Sequence, residues 1–369
     1  MTLPPLSLYI HYPWCVKKCP YCDFNSHQQK ENNDVFYMQA VLADLKNQLQ
    51  TDLVQGREIQ SIFFGGGTPS LCSIEAMTLL FSGLKEILTF AKDIEITLEA
   101  NPGASDGEKF NALRQLGVNR LSIGVQSFND NHLKNLGRIH SSQQAIDTIE
   151  QAQAVGFDNL NIDLMFGFEG QTVAECIFDV AQAIALNPAH ISFYQLTIEP
   201  NTFFAKYPPI LSQETNWEMQ EQGQQLLEKS GFPQYEISAF SKRPAKHNLN
   251  YWQFGDYLGI GAGSHGKITL NDKIIRTLQS NAPKDFIKNN QNTITEVKQI
   301  SFEFMLNALR LKAGFNPALF TQRTGQSIQT IQPQLSKAQA LGLLILSDKR
   351  IQPSEKGFNF LNDLQAIFL

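Results

Sequence analysis

The stretch "HYPWCVKKCPYCDFNSH", residues 11–27, holds three of the five cysteines in a chain of 369 residues. Cys15, Cys19 and Cys22 are spaced C-x3-C-x2-C and follow directly on "LSLYIHY" (6–12), whose β-branched and aromatic residues predict a strand. The cysteines are therefore expected on a loop at the end of a first strand. Spacers this short gather three thiolates around one centre, as iron–sulfur ligation requires. Two positions past the last cysteine stands Phe24, where a cysteine would complete a four-thiolate set.

Outward from this loop, short apolar runs alternate with longer helical patterns. Further strands are predicted at "IQSIFFGG" (59–66), "IEITLEA" (94–100), "NRLSIGV" (119–125), "NLNIDLMFG" (159–167) and "HISFYQL" (190–196). Stretches such as "DVFYMQAVLADLKNQL" and "TVAECIFDVAQAIAL" read as the helices between them, and Gly117 and Gly156 are expected C-terminal stops. Six βα units in a row predict an α/β fold with a parallel sheet, doubly wound or curled into a partial barrel. After Asn201 the pattern changes to a helix near 212–230, then "YEISAF" and the Gly-rich "FGDYLGIGAGSHGKI" (254–268). The expected organisation is a barrel domain over 1–265, a connecting segment over 266–300 and a small helical, winged-helix-like domain over 301–369.

Hydrophobic residues make up 42% and charged residues 18%, the balance of a water-exposed globular protein of about two domains. The N-terminus carries no signal-peptide pattern and no apolar run is long enough for a bilayer, so the expected compartment is the cytoplasm. In reducing cytosol, clustered cysteines serve metals more often than disulfides. A net charge of −5 argues against a general nucleic-acid binder.

Two chemistries compete for the cysteines. A zinc site would need a fourth ligand from His11, Asp23 or His27, and no companion C-x2-C pair exists, since Cys72 and Cys176 stand alone. A [4Fe–4S] cube held by three thiolates leaves one iron open, which S-adenosylmethionine can chelate through its amino and carboxylate groups. The loop, with Tyr21 before its third cysteine, resembles the radical S-adenosylmethionine superfamily. The likeness extends through "FFGGGTPS", "LEANPG", "RLSIGVQSFND", "LGRIH" and "NIDLMFGFEGQT". Within that superfamily the chain is similar to oxygen-independent coproporphyrinogen III dehydrogenase (oxidase) and its relatives.

The resemblance implies a partial (β/α)6, TIM-like barrel with its site at the C-terminal strand ends. It also implies S-adenosylmethionine contacts at Tyr9, Tyr21, Gly66, Gly67, Thr68, Glu99, Gln126, Arg138 and Asp163. On their own, the glycines suit close backbone approach to a ligand or a plain tight turn. Glu99 reads equally as a solvated strand-end carboxylate. Asp163 lies inside an apolar run and, if buried, needs a partner; a salt bridge with Arg138 is the structural alternative.

Phe24 departs from the dehydrogenases, which carry a further cysteine at that position, and the chain also reaches its first strand by residue 6 without their N-terminal extension. Both departures match the HemW-type heme chaperones, as does His247-Asn248-x-x-Tyr251 in "KHNLNYW". That resemblance implies heme as cargo, His247 as its axial ligand, and Tyr251 as a packing or weakly ligating residue, with His11, His27 and His265 as alternatives. It further implies a heme-accepting respiratory protein, membrane-associated, as partner, and is compatible with a homodimer. A radical enzyme of porphyrin biosynthesis and a non-catalytic, metal-stabilised interaction protein remain the other readings.

Overall fold

A computed structural model describes all residues except 30–32, 51, 52, 55 and 104–106. All six expected strand–helix units form. Strand β1 (Leu6–Tyr12) leads through the cysteine loop to α1 (Asp34–Leu49). Then come β2 (Ile59–Gly66), α2 (Ile74–Ile87), β3 (Phe90–Ala100) and α3 (Gly107–Leu116). They are followed by β4 (Arg120–Gln126), α4 (Ser142–Ala154), β5 (Leu160–Phe166), α5 (Val173–Ala185) and β6 (His190–Gln195). The six strands pair in chain order, each parallel to the next. Helices α4 and α5 start at reciprocal capping boxes, Ser141 with Gln144 and Thr172 with Glu175, which satisfy their first backbone N–H groups.

Strand alternation explains how the sheet is placed. Leu6, Leu8 and Ile10 of β1 and Ile62 and Phe64 of β2 belong to the main core against the helices. Their neighbours face the barrel interior, where Ser7 Oγ meets Ser61 Oγ at 2.8 Å and Tyr9 stacks with Phe63. Strands buried on both sides usually read as continuous hydrophobic runs. This barrel instead keeps a polar inner face, with Glu95, Thr97, Arg120, Ser122, Asn161 and His190 all buried.

Beyond β6, α6 (Gln213–Lys229) leads to β7 (Gln234–Glu236) and β8 (Ala239–Ser241), which add an antiparallel edge on β6. The short helix α7 (Lys246–Trp252) carries "KHNLNYW". Strand β9 (Asp256–Ile260) then joins the far side of β1 in parallel. The segment expected as a connector continues the same sheet through β10 (His265–Thr269), β11 (Ile274–Leu278) and β12 (Thr293–Glu296). At the join, the Asp256 carboxylate is fully buried and accepts from Arg57 Nη1 at 2.7 Å, Lys267 Nζ at 2.9 Å and both the backbone and the hydroxyl of Thr269.

A second core holds Phe304, Phe315, Phe320, Leu335 and Leu364. It is built by α8 (Ile300–Ala308), α9 (Pro317–Thr324), α10 (Gln332–Ala340), the two-stranded ribbon β13 (Leu344–Leu346) with β14 (Ile351–Pro353), α11 (Glu355–Asn359) and α12 (Leu361–Ala366). Helices around a two-stranded wing are the expected winged-helix-like arrangement. Its backbone meets the barrel's edge where Ile237 N donates to Arg310 O and Lys312 N to Tyr235 O. Among the described residues no helix is long and apolar enough to cross a membrane.

Candidate cluster and S-adenosylmethionine site

The cysteine loop is tied down at both ends. Trp14–Cys15 pairs with His27–Gln28 as a short ladder, and Cys22 N donates to Cys19 O at 3.1 Å. The glycine run after β2 lies directly beneath it. A Cβ on Gly67 would stand 2.3 Å from Trp14 O, and Gly66 adopts φ 114° with the His11 ring 2.5 Å from any Cβ. Glycine is required at both positions because backbone must pass against the loop. Gly67 N and Thr68 N donate to Tyr12 O and Trp14 O.

From the next strands come the polar groups. Arg138 Nη2 donates to Asn101 Oδ1 at 2.6 Å and to Gly124 O at 2.7 Å, while Nη1 points at Cys19 Sγ, 3.8 Å away. Asn101 Nδ2 in turn donates to Thr68 Oγ1 at 2.7 Å. Gln126 ends β4 with φ 70°, an unusual backbone for a non-glycine residue, and accepts from Tyr194 OH at 3.1 Å. Glu99 accepts from Gly66 N at 3.2 Å. Burial, reinforced by the neighbouring Asp163, pushes the Glu99 carboxyl up to about 8.

Asp163 sits at mid-strand on β5, deeper than the others. Its expected salt-bridge alternative with Arg138 does not form; Ser122 Oγ and Asn161 Nδ2 donate to it instead, at 3.1 and 2.7 Å. Burial raises this carboxyl, and those hydrogen bonds oppose the rise. Tyr9 is inward on β1 and donates to or accepts from His11 Nδ1 at 3.0 Å. Tyr21 packs with Leu136, Met165 and Phe168 beneath the loop.

A cavity of about 240 Å³ opens beside the loop against Cys15, Cys19, Thr68, Asn101, Arg138 and His140. Among the described residues no three His, Cys, Asp or Glu donors converge on one ion-sized point. Cys15, Cys19 and Cys22, all free and on one loop, are a donor set that suits three irons of a [4Fe–4S] cube. Asn101 and Tyr194 bond these candidate residues and were passed over in the sequence, although "LEANPG" and "HISFYQL" both display them.

The "HNLNYW" helix lies at the opposite end of the barrel. His247 is 1% exposed; its Nδ1 bonds Ser61 Oγ at 2.9 Å, its backbone N–H donates to Glu95, and its ring stacks on Phe63. The other ring nitrogen of His247, Nε2, is buried and has no hydrogen-bond partner among the described residues. Burial lowers its imidazole to about 3. Tyr251 packs edge-on between His247 and Tyr257. His11 and His27 both bond Asn25 near the cysteine loop, and His265 is exposed at the start of β10.

The fold and the loop place this protein in the radical S-adenosylmethionine class, and the family model described as "Radical SAM superfamily" matches residues 9–180. A second, "HemN C-terminal domain", matches 297–360. The solved coproporphyrinogen III oxidase (HemN) from Escherichia coli superposes with a TM-score of 0.83 over 99% of this chain and 90% of that one, at 22% identity, a likeness of fold. Full-length relatives narrow the class. The chain is 47% identical to "Heme chaperone HemW" of Escherichia coli (strain K12), covering 100% of this chain and 99% of that protein. It is 35% identical to the protein of that name in Bacillus subtilis (strain 168), over 98% and 99%. The chain belongs to the heme chaperone HemW family.

Proposed function

We propose that this protein is a heme chaperone, one that binds heme and passes it to a heme-requiring acceptor, with membrane-associated respiratory proteins as the acceptor class. The observation that carries this reading is the 47% identity, over the whole chain, to a protein named for that role. In this reading Cys15, Cys19 and Cys22 hold a [4Fe–4S] cluster. Tyr9, Tyr21, Gly66, Gly67, Thr68, Glu99, Gln126, Arg138 and Asp163 hold S-adenosylmethionine. When bound, the cluster would supply an iron without a protein ligand, which the amino and carboxylate groups of S-adenosylmethionine would chelate. Of the chain's own residues, Gly66, Gly67 and Thr68 would meet the amino acid part of that ligand, Glu99 is held by Gly66 N, Arg138 and Asn101 fix the loop beside Cys19, and Tyr194 holds Gln126.

The enzyme reading is disfavoured by Phe24, which is 58% exposed at the position where the dehydrogenases carry a further cysteine. The test is one anaerobically reconstituted sample given both ligands in parallel. Stoichiometric heme uptake with no conversion of coproporphyrinogen III supports the chaperone. Turnover of coproporphyrinogen III to protoporphyrinogen restores the enzyme.

A further inference from the structure

Two hydroxyls on the barrel's inner face, away from the cysteine loop, fasten the short helix α7. Ser7 of β1 and Ser61 of β2 are fully buried, and their hydroxyls meet at 2.8 Å. Ser61 Oγ also lies 2.9 Å from His247 Nδ1, and Ser7 Oγ accepts from Asn250 Nδ2 at 3.0 Å. The two buried residues of α7, His247 and Asn250, thus end on one pair of hydroxyls. Phe63, two positions along β2 from Ser61, stacks on the His247 ring with 5.0 Å between centroids.

An imidazole that binds a metal through one nitrogen carries its proton on the other, and the acceptor of that proton fixes the tautomer and the orientation of the ring. In His247 the two nitrogens are unlike. Nε2 has no hydrogen-bond partner among the described residues, whereas Nδ1 has Ser61. A lone pair on Nε2 therefore requires the proton on Nδ1, with Ser61 Oγ as its acceptor. The neighbours take that arrangement without conflict. A hydroxyl has one hydrogen and two lone pairs, so Ser61 passes its own hydrogen to Ser7, which accepts from Ser61 and Asn250 together.

We propose that Ser61 is a positioning residue for heme: it accepts from Nδ1–H of His247 and so presents Nε2 to the iron as the axial nitrogen. The proposal rests on the heme reading above, with His247 as the ligand. Nε2 is enclosed in this packing, so a neighbour of the ring moves when iron reaches it. Ser61 is not that neighbour. It lies on a strand paired on both sides, whereas Tyr251, edge-on to the ring at 4.7 Å, is partly exposed on a helix of seven residues. An acceptor on Nδ1–H also makes the imidazole a more basic ligand, which favours ferric over ferrous iron.

The experiment titrates the anaerobically reconstituted full-length protein with hemin and with iron-free protoporphyrin IX, and measures the reduction potential of the bound heme at its Soret band. The proteins are wild type, Ser61→Ala, Ser61→Thr, Ser7→Ala and His247→Ala, each first checked for an unchanged melting transition. Ser61→Ala should weaken hemin by about tenfold, the low end for losing such an acceptor. Its heme potential should shift to more positive values, and protoporphyrin IX, which has no iron to ligate, should bind as it does to wild type. Ser61→Thr keeps the hydroxyl and should restore both readings. Ser7→Ala should act in the same direction but more weakly, which keeps the test open if Ser61→Ala does not fold. Equal losses of hemin and protoporphyrin IX would mean that Ser61 only holds α7 in place, and would overturn the proposal. Hemin bound no more weakly than by wild type, in the serine variants that fold, also overturns it. His247→Ala that binds hemin as wild type does removes the ligand and this proposal with it, while the chaperone reading stands. A wild type that takes up no hemin removes the chaperone reading as well.

Discussion

Arg138 donates to Asn101 at 2.6 Å and, through the other arm of the same guanidinium, reaches Cys19 Sγ at 3.8 Å. This pair joins the end of β3 to the cysteine loop, and Asn101 extends the link to Thr68. Asn101→Ala removes two hydrogen bonds from the ligand-facing network, each worth about 1 kcal/mol. S-adenosylmethionine affinity should fall by about tenfold in calorimetric titration of reconstituted protein, with iron content retained. Wild-type affinity in the variant would show that Arg138 is held without it.

Gly67 has no room for a side chain. A Cβ there meets Trp14 O at 2.3 Å, and a backbone carbonyl cannot turn aside as a flexible side chain can. Gly67→Ala should therefore displace the start of the cysteine loop, giving protein that purifies with little iron and reconstitutes poorly. Iron and sulfide analysis checks this, and a full complement of both in the variant contradicts it.

His247 makes stability depend on pH with a definite sign. Its folded-state imidazole is lowered to about 3 by burial, with Arg120 adding; Glu95 accepts from its backbone, and Tyr251 packs edge-on. Below about pH 6.5 the unfolded chain binds a proton that the folded chain refuses, so this contribution to stability is present above 6.5 and is lost as pH falls towards 3. The stability gap between wild type and His247→Gln, measured by urea unfolding, should be about 2 kcal/mol smaller at pH 5 than at pH 7.5. A gap independent of pH would mean that His247 is accessible to protons when folded.

Asp256 faces two cations. Arg57 and Lys267 both end on its buried carboxylate, and Lys267, 1% exposed, is lowered to about 8 by burial despite that partner. Asp256→Ala leaves a buried ammonium without its counter-ion, and removing one partner of such a pair costs about 3–5 kcal/mol. Chemical denaturation should show a loss of that size. A loss below about 1 kcal/mol would mean that water reaches the site and replaces the carboxylate.

The barrel was legible because its outward residues alternate with turn signals. Leu6, Leu8 and Ile10 pack on helices, and the cysteine spacing marks the first strand's end without reference to anything distant. Strand β9 was hidden in the Gly-rich run 254–268 because the glycines there answer to close backbone crossings, one near and one far away in sequence. A Cβ on Gly259 would stand 1.9 Å from His265 O, and one on Gly261 would stand 2.5 Å from His11 O. The stretch 266–300, expected as a connecting segment, holds β10 to β12, short strands that pair antiparallel with their neighbours in the chain. The burial of His247 was not legible for a related reason. A polar residue buried inside a polar-lined barrel has the same local sequence as one on a surface loop, and only Ser61 and Phe63, far away in sequence, tell the two apart.

The central claim is that this chain carries heme to another protein, and transfer itself tests it most directly. Protein reconstituted with its cluster and loaded with hemin is separated from free heme, then mixed with an apo-form heme acceptor. The acceptor's absorption spectrum and activity are followed against a control of free hemin at the same concentration. The account predicts stoichiometric transfer, faster than from the control in the presence of a heme-scavenging albumin. Heme that stays with this protein, or reaches the acceptor only as fast as it dissociates into the scavenger, contradicts it.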